Sequence, residues 1–370
     1  MTHHHPENEA KYEGLTVNAG VPQPPTVNPY MTRRAKRRQY TAGEFAEGIE
    51  KGDISLLGQA VTLVESNNPD NAALAQEVIA KCLPLAARHS TDRIGITGVP
   101  GAGKSTFLEA LGTLLVKRGE KLAVLAIDPS SERSKGSILG DKTRMEFLST
   151  SDKAFIRPSP SAGSLGGVAR KTRETIVLCE AAGYRHIFVE TVGVGQSETA
   201  VHSMVDFFLL IQLTGTGDEL QGIKRGIMEM ADGIIINKAD GNNQERALLA
   251  RRQFQNALQL FPPHESGWDP QVLTCSAFHN IGIEEVWKMV EQYLTFARGN
   301  GYFAKRRREQ TKYWMYETID DTLKANFYHN REVERELERL EEEVTRGRVS
   351  SFTAARQLLD MYYRTGGKTD

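Results

Sequence analysis

The amino-acid sequence predicts an α/β fold, in which a mostly parallel central sheet is flanked by helices. Six short β-rich runs alternate with helical stretches between residues 91 and 280, a pattern typical of strands joined by crossover helices. Sheets of this kind bind ligands at the carboxyl ends of their strands, and the polar motifs described below follow those ends. The predicted strands are residues 93–97, 122–127, 186–190, 205–213, 233–237 and 272–274.

The composition is that of a globular protein without a strong charge bias. Of the 370 residues 39% are hydrophobic, which is enough for one large or two modest domains, and 46 Lys and Arg nearly balance 47 Asp and Glu. We therefore expect no nucleic-acid partner, and the lack of an 18-residue apolar run predicts no membrane span. Cys82, Cys179 and Cys275 lack the C-x-x-C spacing of a disulfide framework or zinc site, which fits a cytoplasmic protein.

The first 90 residues divide into two segments. Residues 1–40 are rich in proline and are predicted to be a disordered tail. Their basic run at 33–38 either contacts RNA or an acidic partner, or is a solvated approach to the first helix. Residues 41–90 are predicted to be a helical extension, which begins with a capping box formed by Thr41 and Glu44.

The chain returns to a helical pattern over residues 281–370, of which 299–370 are predicted to be a C-terminal helical arm. Val333, Leu337, Leu340 and Val344 form a narrow apolar stripe among many charged residues. Such a stripe is either a dimerisation seam or the face by which the helix packs on its own domain.

The strongest motif is a glycine-rich loop between a predicted strand and a predicted helix. Residues 98–106 match G-x-x-x-x-G-K-[ST] in full, and glycines let the backbone N–H groups wrap a phosphate. Lys104 then reaches the β- and γ-phosphates, and Ser105 offers its hydroxyl to Mg²⁺. The predicted nucleotide-binding residues here are Gly98, Val99, Pro100, Gly101, Ala102, Gly103, Lys104, Ser105 and Thr106.

Acidic residues end the neighbouring predicted strands. Asp128 and Glu190 each follow an apolar run, where a phosphate site needs a carboxylate to hold Mg²⁺. Gly193 is placed to donate its N–H to a γ-phosphate. Asp141, in the long polar segment after Asp128, either completes the metal site or caps the next helix.

A second motif predicts recognition of guanine. Asn237, Lys238 and Asp240 form N-K-x-D after an apolar run, and a carboxylate can accept both the N1–H and the N2–H₂ of guanine. Adenine presents no such pair of donors, so Asp240 is the predicted specificity residue, and Lys238 can cover the base. Ser276 and Ala277 end the last predicted strand, where a backbone N–H can contact the guanine oxygen.

Four stretches together resemble one known family. LAIDPSSERSKGSILGDKTRM, RPSPSAGSLGGVARKTRE, ETVGVGQSETAV and DELQGIKRGIMEMADGIIINKADG are similar to the MeaB/ArgK family of P-loop GTPases, over about residues 45–365. That family acts as GTPase chaperones of adenosylcobalamin-dependent methylmalonyl-CoA mutase. The resemblance implies a cytoplasmic, homodimeric GTPase that binds GTP or GDP with Mg²⁺. Its task is to gate the loading of intact cofactor into the mutase and to help remove damaged cofactor.

The resemblance also implies roles for segments and residues. Residues 91–298 become the GTPase domain and 299–370 a dimerisation arm. Residues 213–224 match a mobile loop that couples nucleotide state to the mutase, with Gly215, Gly217, Asp218, Glu219 and Lys224 as its predicted switch residues. The predicted catalytic residues are Lys104, Asp128, Asp141 and Glu190, and the predicted metal ligands are Ser105, Asp128, Asp141 and Glu190.

Intrinsic GTP turnover is expected to be slow, and three other functions are disfavoured by the sequence. Val194 occupies the place where many GTPases have a water-positioning glutamine, so a partner is expected to complete the site. A small-molecule kinase of the ArgK type is disfavoured by N-K-x-D, a metal-insertion GTPase by the lack of a Cys/His cluster, and a cobalamin carrier by the lack of D-x-H-x-x-G. A chaperone of a different cobalamin-dependent acyl-CoA mutase remains an alternative.

Overall fold

The computed structural model describes most of the chain, namely residues 38–66, 68–127, 145–158, 165–191, 197–214 and 225–364. Seven strands lie within these ranges: β1 (Asp92–Gly98), β2 (Leu122–Ile127), β3 (Ala154–Arg157), β4 (His186–Thr191), β5 (Phe207–Gln212), β6 (Gly233–Ile236) and β7 (Gln271–Thr274). They form one sheet in the order β3-β2-β4-β1-β5-β6-β7, and every pair is parallel. The predicted fold class is confirmed.

Helices precede, connect and follow the strands. The N-terminal group is α1 (Ala42–Glu50), α2 (Ile54–Glu65) and α3 (Pro69–Ala86). The connecting helices are α4 (Lys104–Lys117), α5 (Glu146–Thr150), α6 (Leu165–Ala181), α7 (Ser197–His202), α8 (Arg225–Glu229) and α9 (Gln244–Leu258), the last preceded by a 3₁₀ turn at Gly241–Asn243. The C-terminal group is α10 (Ile283–Gly299), α11 (Tyr302–Tyr328), α12 (Arg331–Thr345) and α13 (Ser351–Arg364).

The six strands predicted from the sequence are all present, but the seventh, β3, was missed. This strand has four residues, pairs only with β2 and forms an edge of the sheet. β6 and β7 are equally short and were predicted, so length alone does not explain the difference, and the strand character of β3 comes from its pairing with β2.

The centre of the sheet is inaccessible to water on both faces. Every residue of β1, β2, β4, β5 and β6 is buried, although alternate side chains of a strand point to opposite faces. Both faces must therefore be covered, as is typical of parallel sheets flanked by helices. Trp287 and Tyr293 of α10 and Phe107 of α4 are among the largest fully buried side chains.

The N-terminal helices begin as the sequence indicates. The hydroxyl of Thr41 accepts from the backbone N–H of Glu44, and the Glu44 carboxylate accepts from the N–H of Thr41, which is the predicted capping box. Gly52, at φ 78°, separates α1 from α2, and Asp53 caps α2. This group packs on α6 through α2 and α3.

Helix α11 is anchored to the amino ends of the central strands by polar side chains on one face. Arg307 pairs with Asp206 at 2.6 Å and Arg306 with Asp232 at 3.5 Å. Further along the helix, Gln310 and Trp314 donate to the backbone carbonyls of residues 205 and 203. These contacts hold the N-terminal half of α11 on the edge of the sheet opposite to the predicted nucleotide site.

The C-terminal stripe packs within the chain. Val333 and Leu340 of α12 are buried against Ala354 and Leu358 of α13, and Leu337 and Val344 pack beside them. Of the two interpretations of the stripe, the structure favours packing on its own domain over a seam between subunits. Exposed apolar side chains are found elsewhere, among them a group on α11 formed by Tyr313, Met315, Tyr316, Ile319 and Leu323.

The three cysteines are free and buried. Among the described residues, no helix combines the length and the apolar character that crossing a membrane requires.

Candidate functional site

The glycine-rich loop connects β1 to α4. At two of its positions a neighbouring segment lies so close that only glycine fits. A Cβ atom on Gly98 would lie 2.1 Å from the carbonyl oxygen of Ile211 in the neighbouring strand. A Cβ on Gly103, whose φ is 86°, would lie 2.7 Å from Nδ2 of Asn237. Any larger residue would separate the loop from these neighbours, so the loop and the two strands behind it form one tightly packed unit.

Lys104 is the first residue of α4, and its side chain turns back across the loop. Its Nζ donates to the carbonyl oxygen of Gly98 at 2.9 Å, and the side chain is buried. Burial lowers the pKa of Lys104, while the carboxylates of Glu190 and Glu198 act in the opposite direction. The ammonium group is thus held inside the loop, where a bound phosphate would meet it.

Ser105 and Glu190 form the part of the predicted metal site that the structure describes. Glu190 lies near the end of β4, which pairs with β1, and the Ser105 hydroxyl donates to its carboxylate at 3.1 Å. Two oxygen ligands at the mouth of a phosphate loop fit Mg²⁺, which prefers oxygen and binds proteins through few carboxylates. The described residues contain no cluster of three or more His, Cys, Asp or Glu that could hold a metal by itself.

Asn237 joins the second motif to the phosphate loop. It follows β6 and is almost fully buried, with 1% of its surface exposed. Its Nδ2 donates to the carbonyl of Ala102 at 2.8 Å, and its Oδ1 accepts from the N–H of Ala277 at 3.0 Å. One side chain therefore fixes the distance between the glycine-rich loop and both segments of the predicted base site.

Next to Asn237, the predicted base-recognition residues surround a cavity of about 300 Å³. The Ser276 hydroxyl donates to the Asp240 carboxylate and so orients it. The Asp240 carboxylate is half-buried, and no other carboxylate lines the cavity among the described residues. The lining residues are Gly103, Thr106, Asn237, Lys238, Asp240, Ser276, Ala277 and Phe278.

The structure brings together most of the residues singled out in the sequence. The loop residues, Glu190, Asn237, Lys238, Asp240, Ser276 and Ala277 all lie at the carboxyl edge of the sheet. Other predicted site residues lie outside the described residues: Asp128, Asp141, Gly193, Gly215, Gly217, Asp218, Glu219 and Lys224.

Two residues at the site were not predicted. Phe278 lines the base cavity and is 80% exposed, although the sequence gives no reason to single out the residue after Ser276 and Ala277. Glu198, in the first turn of α7, is buried and acts electrostatically on Lys104. A carboxylate that stays buried near a lysine is recognisable only when the fold is known.

Comparison with known proteins identifies the family. The sequence profile described as "Methylmalonyl Co-A mutase-associated GTPase MeaB" matches residues 57–332. The chain belongs to the MeaB family. One relative, GTPase ArgK of Escherichia coli (strain K12), is 44% identical over 86% of this chain and 96% of its own length.

Two further proteins are similar to this chain over most of its length. The mouse protein named methylmalonic aciduria type A homolog, mitochondrial, is 43% identical over 85% of this chain and 78% of its own length. The crystal structure titled LAO/AO transport system kinase is 37% identical, with a TM-score of 0.70, and the match covers 88% of this chain and 99% of that one. Family and fold together show that this MeaB-family protein is a GTPase, as the sequence predicted.

Proposed function

We propose that this GTPase is a chaperone of adenosylcobalamin-dependent methylmalonyl-CoA mutase, which gates the loading of cofactor and protects or reactivates the enzyme. The observation that carries the proposal is a base cavity with the chemistry for guanine, joined by Asn237 to a phosphate loop, in a chain whose family is described as mutase-associated. The name of the mouse relative, which refers to methylmalonic aciduria, supports the same partner.

We assign the phosphate chemistry to residues at the carboxyl edge of the sheet. Lys104 and the backbone N–H groups of the glycine-rich loop stabilise the charge that develops on the γ-phosphate when water attacks it. Ser105 and Glu190, with Asp128 and Asp141, would hold Mg²⁺, which neutralises phosphate charge when bound. Gly193 would donate to the γ-phosphate, and Asp128 or Glu190 would orient the attacking water.

We assign the choice of GTP over ATP to Asp240. Its carboxylate, held by the Ser276 hydroxyl, can accept both neighbouring donors of guanine. Lys238 and Phe278 flank the same cavity and can cover the faces of the base. ATP would place an acceptor, N1, against this carboxylate, so the site disfavours a kinase that uses ATP.

We further propose that the protein is a homodimer and that the C-terminal half of α11 forms the contact. Tyr316, Ile319 and Leu323 are spaced i, i+3 and i+7 on this helix, and each is at least 46% exposed. Residues spaced in this way lie on one face of a helix, and an exposed apolar patch is typical of an interaction surface. We also propose that residues 213–224 couple the state of the bound nucleotide to the mutase. The complex of the two proteins would be cytoplasmic.

The test is GTP turnover by the purified protein, with and without methylmalonyl-CoA mutase from the same organism, and with Lys104→Ala as the inactive control. We expect the mutase to stimulate hydrolysis strongly, because the site lacks a water-positioning glutamine. Hydrolysis that the mutase does not change would contradict this partner, and stimulation by a different cobalamin-dependent acyl-CoA mutase would support the alternative chaperone. ATP-dependent phosphorylation of a small molecule without use of GTP would contradict the whole proposal.

A further inference from the structure

Asn243 lies outside the N-K-x-D motif, three residues after Asp240. Its side chain makes hydrogen bonds to other segments instead of to its own helix. Asn243 is the N-cap residue of α9, a position where an asparagine ordinarily accepts a backbone N–H of its own helix. Here the side chain makes no such bond. Instead its Nδ2 donates to the carbonyl oxygen of Lys238 at 2.7 Å, and its Oδ1 accepts from the Thr214 hydroxyl at 2.5 Å.

The hydrogen bond from Asn243 reaches a residue whose backbone conformation is unusual. Lys238 has a φ of 60°, one of only two positive values at non-glycine residues in the described part of the chain. Residues other than glycine rarely adopt this left-handed backbone conformation. Its cost in free energy is of the order of one hydrogen bond. The peptide that joins Lys238 to Ala239 is thus held at both ends, since the Ala239 N–H donates to the carbonyl of Cys275 while the Lys238 carbonyl accepts from Asn243.

The Lys238 carbonyl determines which end of the Asn243 amide faces it, because a carbonyl oxygen can only accept and therefore requires Nδ2. Oδ1 then points the other way, where the Thr214 hydroxyl donates to it. Thr214 follows β5, and Lys238 follows the adjacent strand β6. The three residues therefore form a chain of hydrogen bonds that ends at the wall of the base cavity.

We propose that Asn243 is a positioning residue for guanine recognition, which holds the Lys238–Asp240 segment in the conformation that the base requires. Asn243 does not line the cavity and acts through Lys238. Without it, the positive φ of Lys238 loses one of its supports, and the Asp240 carboxylate, although still bonded by Ser276, is held less firmly opposite the two guanine donors. This inference rests on the proposed binding of guanine nucleotide at this cavity.

The experiment compares GDP with IDP, which lacks the 2-amino group of guanine, by isothermal titration to the full-length protein. The variants are Asn243→Ala, Asn243→Asp and, as matched control, Asn242→Ala, which alters an exposed asparagine in the same 3₁₀ turn. Asn243→Asp keeps an oxygen for Thr214 but has no N–H for Lys238. Thr214→Val removes only the hydrogen bond between Thr214 and Asn243.

We expect both Asn243 variants to bind GDP about threefold to tenfold more weakly, as the loss of one hydrogen bond implies. The preference for GDP over IDP should shrink in both, Thr214→Val should show a smaller change in the same direction, and Asn242→Ala should bind like the unaltered protein. Equal weakening for GDP and IDP, or no difference between Asn243→Ala and Asn242→Ala, would overturn the inference. Failure of the unaltered protein to bind GDP would overturn the proposed guanine site itself.

Discussion

Asn237 and Ala102 are 135 residues apart in sequence, yet one buried hydrogen bond of 2.8 Å joins them. Replacing Asn237 with Ala leaves the Ala102 carbonyl and the Ala277 N–H without this partner. Each orphaned buried group costs about 1–3 kcal/mol, so we expect the free energy of unfolding to fall by about that amount or more. GDP affinity should fall as well, because the phosphate and base segments lose their fixed separation. Urea unfolding and GDP titration measure the two effects.

Asn256→Ala is the control for this prediction, since Asn256 is an exposed residue of α9. If Asn237→Ala and Asn256→Ala unfolded at the same urea concentration, the hydrogen bonds of the Asn237 side chain would contribute nothing to stability.

The charge of Glu190 is expected to set the pH range over which Lys104 binds phosphate. Burial lowers the pKa of Lys104, and the Glu190 carboxylate raises it. Glu190→Gln should therefore lower the pKa of Lys104 further, so that GDP affinity is lost at a lower pH as the ammonium deprotonates. The measurement is the GDP dissociation constant against pH in EDTA, which removes the role of Glu190 toward Mg²⁺. Glu285→Gln, at an exposed position, should leave the profile in place.

His202 should make the protein less stable in acid. Burial, together with the nearby charges of Arg306 and His264, lowers the pKa of His202 to about 3, against 6.5 for a free side chain. Between these values only the unfolded chain binds the proton. Stability therefore falls with decreasing pH from about 6.5 toward 3, by up to about 1.4 kcal/mol per pH unit from this group.

His202→Gln should flatten that dependence, although it also loses the edge contact with Phe208. Urea unfolding midpoints from pH 4 to 7 give the slope, and His89→Gln, at an exposed histidine, is the control. A slope as steep in His202→Gln as in the control would contradict the prediction.

Arg307 is expected to be a major attachment of α11 to the sheet. It bonds both carboxylate oxygens of Asp206 and the carbonyl of Thr91, and Asp206 is buried. Arg307→Ala leaves a buried carboxylate without this partner, which costs about 3 kcal/mol or more. Arg308→Ala removes an exposed guanidinium one residue away, and we expect it to be within about 0.5 kcal/mol of the unaltered protein. Chemical denaturation of both variants measures this difference in the free energy of unfolding.

If the apolar face of α11 forms the dimer contact, a single charge placed within that face should separate the dimer into monomers. Leu323→Glu places a carboxylate within the face, whereas Lys324→Glu changes the charge of the adjacent exposed residue. Light scattering coupled to size exclusion should give a monomer for the first and a dimer for the second. A dimer that survives Leu323→Glu would place the contact elsewhere.

The parts of this molecule that were predictable from sequence are those whose signal is local. The phosphate loop, the N-K-x-D segment and the Thr41 capping box are each encoded within about ten residues, so the pattern alone places them. The Ser105–Glu190 contact followed from two such signals at adjacent strand ends. Strand β3, the orientation of the Asn243 amide and the partner of the α12 stripe depend on distant segments, and no local pattern contains them.

The order of the strands has a consequence for synthesis of the chain. Central strand β1 lies between β4 and β5, which follow it by about 90 to 110 residues. A nascent chain that ends before β4 therefore has no partner for either edge of β1, whereas β2 and β3 can already pair with each other. Closing such long loops is slow and leaves apolar strand edges open to aggregation. The phosphate loop thus gains its supporting neighbours only after more than half of the protein has left the ribosome.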